Sequence, residues 1–542
     1  MALKRTENKE YVGIQAPAAL AMALFEQTGL RELIDSKFSI DARLKLTPGN
    51  AVKALLGNMM GTMRKNSLYN VANPYLSAPV DLLFGEKVDM PALGGRAFSR
   101  NLDRLFQKDL PELTYECYSR LAEFYGLSSN VFNIDSTNFT INAVGKDADI
   151  EGAAVPEWCG HAKDGRDDKL VYSLLSVTDE NSVLCYECPY DGATADSVMD
   201  KGAMEFLSGK VDPRESTLIA DCKIATGPLI DLICEKGFGF VAKCPDNFGQ
   251  RARASIVYSV KNGIMDPSLV RDGWEIYDTD MDVNGKTLRF IAFRTTDDIV
   301  AGIEYLREQG LKEAGAIFNR FQSRLYNCEI DAKRALDEAL VILGESAYGV
   351  KWSIDAVEIS DGYGHRGRPK KGSKPTTHTE YKVNIELVFD EERAKALSQD
   401  RGVRVLVTNL PRANKDAENI RFGATADTVL LSYLGQYRIE HAFRLMKDGM
   451  HMSRVYIHRP SRENAMMFVI SLATMVTGVM DHVLKEKGCN ITTTGISDRF
   501  MTLILEHDRD TDSESFRGPV DLADEYLGYV EALGVDPDHL IH

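Results

Sequence analysis

The chain has 542 residues, 44% of them hydrophobic and 27% charged, with 64 Lys and Arg against 80 Asp and Glu and a formal net charge of −16. Roughly two to four structural units are expected at this length, and the composition excludes a disordered, collagenous or disulfide-scaffold chain. The charge excludes a uniformly basic nucleic-acid binder, although a local basic surface suffices for binding.

Residues 16–25 are apolar, but they follow Glu7 and Glu10 and run into Glu26, so they read as the start of a helix and not as a signal peptide. Residues 1–127 read as a helical region. Apolar side chains recur at three and four positions in Ala51, Val52, Ala54, Leu55 and Leu56 and again in Leu102, Leu105 and Phe106, punctuated by Pro48, Pro74, Pro79, Pro91 and Pro111. Nothing in this region looks catalytic.

From Val131 the period changes to that of strands. Strands are expected over 131–141, 170–177 and 182–188, a helix over 193–207, a strand over 216–220, a helix over 225–236 and a strand over 238–244. This succession resembles the order of the ribonuclease-H-like fold, whose acids stand at the end of the first strand, the end of the fourth, and on a later helix. The core is expected over 128–245 and 426–490, split by an insertion over 246–425. Within that insertion, 274–295 alternates like strands, 297–343 reads as charged helices, and 381–389 and 403–408 return to strand. Residues 465–480 are strongly apolar but fall short of the ~20 residues needed to cross a bilayer, and they contain Ser471, Thr474 and Thr477, so a buried core helix is expected. Residues 491–542 read as an acidic C-terminal tail, peripheral from Asp508 onward.

Nine scattered cysteines, an odd number, argue against a disulfide framework and for a reducing compartment. Cys185 and Cys188 form a lone CxxC, for which two small side chains in a strand is a simpler reading than a zinc site.

Three acids carry the chemistry. Asp135 and Asp221 each close a short apolar run of the kind that makes a buried strand, and Glu440 lies in a helical segment. Taken singly, Asp135 reads equally well as the start of a turn, Asp221 as a cap for the following helix, and Glu440 as a surface residue. Together on one fold order they form a candidate pocket for two divalent metals about 4 Å apart, the arrangement that drives phosphodiester chemistry. All-oxygen donors suit Mg²⁺, with Mn²⁺ as the alternative. Lys447, seven residues beyond Glu440, and Tyr433, seven before it, are placed to grip phosphates, while a solvated helix face is the competing reading for Lys447.

The spacing Tyr433-x2-Gln436-x3-Glu440-x6-Lys447 resembles the Y-x2-R-x3-E-x6-K signature of DDE transposases of bacterial insertion sequences. The resemblance extends to residues 160–166, to 192–196 and to 454–459, and covers roughly 131–244 and 381–487. Gln436 departs from it, since glutamine still donates to a phosphate but brings no charge; Arg444 aligns with Glu440 on the same helix. The resemblance implies catalysis by Asp135, Asp221 and Glu440, cleavage at the ends of the element and strand transfer into target DNA. It implies terminal inverted repeats and target DNA as partners, a homodimer that joins two ends, DNA-end binding by the N-terminal region, and a cytoplasmic, nucleoid-associated protein of a prokaryote without membrane attachment. A nuclease of the same fold that does not join strands, and a non-catalytic DNA-binding derivative, are the alternatives. Separately, His365 to Lys371 form a basic loop in which Arg366, Arg368, Lys370 and Lys371 are candidate DNA contacts, with the Arg-Gly-Arg-Pro run able to enter a narrow minor groove.

Overall fold

The computed structural model describes residues 12–62, 71–141, 147–158, 170–249, 251–363, 371–372, 374–398, 402–413, 419–449, 457, 459–537 and 540–541. The chain is mixed α/β and divides into two compact units, residues 1–242 with 408–542, and residues 243–407.

The first unit opens with β1 (Val12–Gln15), α1 (Ala16–Gln27), α2 (Leu30–Ser36), α3 (Pro48–Thr62), α4 (Val80–Phe84), α5 (Gly95–Phe106) and α6 (Leu110–Tyr125). The prolines that punctuate the sequence stand at helix starts: Pro48 opens α3, and the Asp109 carboxylate caps α6, with Pro111 in its first turn. There follow β2 (Val131–Ile141), β3 (Glu157–Trp158), β4 (Leu170–Asp179), β5 (Leu184–Tyr190), α7 (Asp196–Ser208), β6 (Thr217–Ala220), α8 (Gly227–Lys236) and β7 (Gly239–Lys243). The strands order as β5-β4-β2-β6-β7. β4 runs antiparallel to both β5 and β2, whereas β2, β6 and β7 are parallel. The parallel pairs are joined through α7 and α8, as parallel strands require.

The second unit contains α9 (Ala252–Lys261), β8 (Leu269–Arg271), β9 (Trp274–Val283), β10 (Lys286–Thr295), α10 (Thr296–Gln322), β11 (Leu325–Tyr326), α11 (Glu329–Leu343), β12 (Tyr348–Gly362), β13 (Thr376–Phe389), α12 (Glu391–Ser398) and most of β14 (Arg404–Thr408). Strands β8, β9 and β10 form an antiparallel meander held by the Arg289–Asp278 pair, which is bidentate at 2.9 and 2.7 Å. In a second sheet, β12 and β13 form a long hairpin flanked by β11, with α10 and α11 packed on the same core. Residues 408–425, assigned to the insertion from sequence, belong to the first unit, where Arg421 donates to the Gly237 carbonyl at 3.0 Å.

The chain returns to the first unit with α13 (Ala426–Leu434), α14 (Tyr437–Arg444), a π-turn (Leu445–Gly449), α15 (Pro460–Glu486), α16 (Thr493–Arg499), β15 (Ile504–Asp508), β16 (Ser513–Arg517) and α17 (Val520–Ala532). Helix α15 is long and apolar enough to cross a membrane, but 89% of its most apolar window is buried inside the protein. It packs against α3, α5, α6 and β5. At Gly478 it approaches the β4–β5 turn so closely that a Cβ would lie 2.8 Å from the Ser182 carbonyl oxygen. The acidic C-terminal segment is not peripheral: β15 pairs with β1, and Phe500, Leu505, Tyr526, Val530 and Leu533 are buried. Tyr526 donates to the Ala16 carbonyl at 2.6 Å, which ties this segment to the first helix.

Candidate active site

Parallel pairing of β2 with β6 runs from Val131↔Thr217 to Ile134↔Ala220 and stops there. The next step in register sets Asp135 beside Asp221, on neighbouring chains about 4.8 Å apart. Asp135 is therefore not at the end of its strand, as expected from sequence, but fifth of eleven residues in β2. The strand continues because its antiparallel partner β4 accompanies it to Ile141; it is β6 that ends. Asp221 leaves β6 into a tight turn, with its Oδ1 accepting the Lys223 amide at 2.8 Å.

Strand alternation sorts the β2 side chains between two faces. Ser136 faces α7, since its hydroxyl donates to Asp196 at 2.7 Å. Asp135, Thr137 and Phe139 therefore share the opposite face. There Lys447, held in the π-turn, donates to the Thr137 hydroxyl at 2.6 Å with its ammonium 5.5 Å from the centre of the Phe139 ring. The lysine is thus bonded to the residue one alternation along β2 from Asp135, a step of about 6.7 Å along the strand.

The third acid joins through Tyr433. Its phenol is pushed up to about 12, first by burial and then by negative charge from Asp221, Cys222, Glu440 and Asp135. One side chain feels all three acids. Glu440 itself is exposed on α14 and opens onto a cleft of about 1280 Å³ that Arg438, His441, Arg444 and Lys485 also line. Burial, assisted by Arg444, holds the His441 imidazole below its usual range, so this neighbour is neutral near pH 7. Gln436 stands at the N-cap of α14 without a side-chain capping bond.

A second group of residues, behind the acid pair, was not named as a site from sequence, although Asp196 falls in the 192–196 segment of the resemblance. Lys223 pairs with Asp196 at 3.0 Å and also donates to the Ser136 hydroxyl at 3.3 Å. Its ammonium loses to burial but is raised by Asp196, Asp221 and Asp135. Asp200, 6% exposed on α7, is raised to about 7 by burial first, then by Asp196 and Asp221, against the opposing pull of Lys223, and by Asp135. Beyond that resemblance, the i, i+4 spacing of Asp196 and Asp200 was the available signal.

The acid pair is chemically suited to a hard divalent cation, being carboxylate oxygen alone. Among the described residues, however, no three His, Cys, Asp or Glu side chains are gathered as a metal-holding group, so Glu440 stands near the pair without closing a three-ligand set. Of the basic-loop candidates, Lys371 is exposed beyond the end of β12, while Arg366, Arg368 and Lys370 lie outside the described residues, as do residues 160–166 and 454–456. Cys185 and Cys188 both lie on β5.

Residues 17–119 match a family model described as a domain of unknown function (DUF4277). No curated protein matches the chain. Among solved structures, the chain is similar to a cryo-EM structure of a piggyBac transposase synaptic complex with hairpin DNA, at 9% identity, with 96% of this chain and 87% of that chain covered and a TM-score of 0.38. A likeness that loose assigns neither fold nor activity.

Proposed function

We propose that the first unit is a ribonuclease-H-like phosphoryl-transfer core and that the chain is a DDE transposase, cutting at the ends of an insertion sequence and joining them to target DNA. The β2–β6 register, which brings Asp135 beside Asp221 at the point where β6 ends, carries the reading. The strand order β5-β4-β2-β6-β7 and the field of Glu440 on Tyr433 support it.

Asp135 and Asp221 would hold Mg²⁺ or Mn²⁺ between them, with Glu440 completing the set when DNA draws α14 inward. Two such cations supply activation of the attacking oxygen and stabilisation of the leaving one. Lys447, beside Asp135 on the same face of β2, offers a charge-assisted hydrogen bond to a phosphate next to the scissile bond. Tyr433, kept protonated by the surrounding acids, remains a hydrogen-bond donor throughout the working pH range. Gln436 contributes a neutral contact where relatives would carry a cation, and Arg438 and Arg444 line the cleft beside Glu440. Joining two ends in one event calls for two copies of the chain, so a homodimer is expected on DNA.

The test uses DNA flanking the coding region as substrate. End cleavage with Mg²⁺ and joining of a 3′-OH end are expected in the parent, and both are lost in Asp135→Asn, Asp221→Asn and Glu440→Gln while DNA binding persists. Mg²⁺-dependent cleavage at parental rate by Asp135→Asn would sink the catalytic assignment. Cleavage without joining would identify a nuclease of the same fold.

A further inference from the structure

Helix α5 carries Arg96, Arg100 and Arg104 at successive i, i+4 positions. Steps of about 100° place them within a stripe some 80° wide and about 12 Å long. The opposite face holds Phe98, Leu102 and Leu105, all buried. Two contacts fix this helix. Asp103 receives a bidentate pair from Arg462 of α15, at 2.6 and 2.7 Å. The buried Asn101 amide donates to the Leu46 carbonyl at 3.2 Å and so draws the segment bearing Arg43 and Lys45 alongside the stripe.

Together these side chains line a cleft of about 710 Å³ whose charged lining is Arg43, Lys45, Arg96, Arg100 and Arg104 against Asp89 alone. Five cations against one carboxylate is the reverse of the chain's own balance of 64 to 80. Arg43 pairs with Asp41 and Lys45 with Asp89, both on the surface. Arg96 and Arg100 are exposed, and no ion pair to either is found among the described residues. Like charges on successive turns repel by a few tenths of a kcal/mol per pair, a cost that an anionic partner on the stripe would relieve.

We infer that the α5 stripe and its Arg43–Lys45 flank form a binding face for the phosphate backbone of duplex DNA. The inference rests on the transposase reading for the identity of the polyanion, and on charge and geometry for the site. A rigid helix displaying guanidinium groups over about 12 Å meets a duplex that carries one negative charge per roughly 1.7 Å of its axis, and guanidinium is the group best matched to phosphate oxygens. Contacts of this type fix the position of the protein on the duplex without reading sequence.

The experiment measures binding of the full chain to a labelled duplex of mixed sequence between roughly 50 and 200 mM salt, where each phosphate contact adds about 0.9 to the slope of log affinity against log salt. Arg96→Gln with Arg100→Gln should make that slope shallower by about 1.8, and Arg96→Lys with Arg100→Lys should leave it near the parent value. Neither arginine supports the fold, so unchanged circular dichroism is expected in both variants. A slope unchanged in the glutamine variant overturns the inference, as does a loss confined to single-stranded DNA or to RNA. The catalytic reading fails separately: Asp135→Asn retaining Mg²⁺-dependent cleavage would refute the active site while leaving the slope result standing.

Discussion

Glu187 on β5 is 2% exposed and shares a cross-strand row with Ser176 and Asp135. Burial pushes its carboxyl up to about 8. Its Oε1 has no hydrogen-bond partner among the described residues, nor do the hydroxyls of Ser176 and Ser471, so Ser471 offsets little of the cost of ionising it. The folded state therefore binds a proton that the unfolded chain releases near its ordinary value of 4.5. Between those two values the native state holds more protons, and stability falls as pH rises. At about 1.4 kcal/mol per pH unit, this group costs the parent about 1 kcal/mol at pH 5 and about 3 kcal/mol at pH 7, levelling near 5 kcal/mol above pH 9. Glu187→Gln preserves the volume, has no charge to lose, and offers an amide donor to the idle serine hydroxyls. Its stability relative to the parent should therefore improve by about 2 kcal/mol between pH 5 and pH 7. Amide hydrogen exchange along β4 and β5 reads that difference locally, without assuming that the two units unfold together. Parallel pH dependence in parent and variant would refute a buried, proton-holding Glu187.

The active site and its scaffold give further expectations. Lys447→Met keeps the aliphatic stem over Phe139 but removes the charge, and it should weaken DNA binding with a salt slope shallower by about 0.9, measured by anisotropy titration. Mg²⁺ should raise the melting temperature of the parent, by an amount equivalent to about 2.7 kcal/mol at a hundred times the dissociation constant; Asp135→Asn with Asp221→Asn should lose that response in differential scanning fluorimetry. Arg462→Ala breaks the half-exposed bidentate pair that holds α5 on α15 and should cost about 1 kcal/mol, seen as a small fall in the melting temperature with cleavage retained.

Much of the first unit was legible because its core strands are short apolar runs buried almost throughout. β2 occupies residues 131–141, the span its alternation indicates, and the α7–β6–α8–β7 succession follows within a few residues of expectation. The parts that were not legible depend on partners far away in the chain. β12 is an exception: Val350, Trp352, Ile354 and Ala356 alternate with polar residues, and Val350 and Ile354 pack into the core of the second unit, so its strand period was present in the sequence without being read. The C-terminal segment reads as acidic on average, yet its few apolar side chains are buried because β15 pairs with β1, nearly five hundred residues earlier. The i, i+4 spacing of Arg96, Arg100 and Arg104 was not singled out from sequence, and the cleft they line forms where Asn101 holds the chain at Leu46.

The spacing around Glu440 shows the same limit at the site itself. On one unbroken helix, seven residues turn through 700°, which would put Tyr433, Glu440 and Lys447 on a single face. The chain instead breaks at Gly435 and Gln436 and widens into a π-turn after Arg444. Tyr433 is thereby left on α13 among the acids. Glu440 is turned to an open cleft, and Lys447 is carried onto the Thr137 hydroxyl beside Asp135. The lysine is therefore bonded to the strand that carries the first acid. π-turns concentrate at functional positions, and here the irregularity sets Lys447 against β2 while Glu440 faces the cleft.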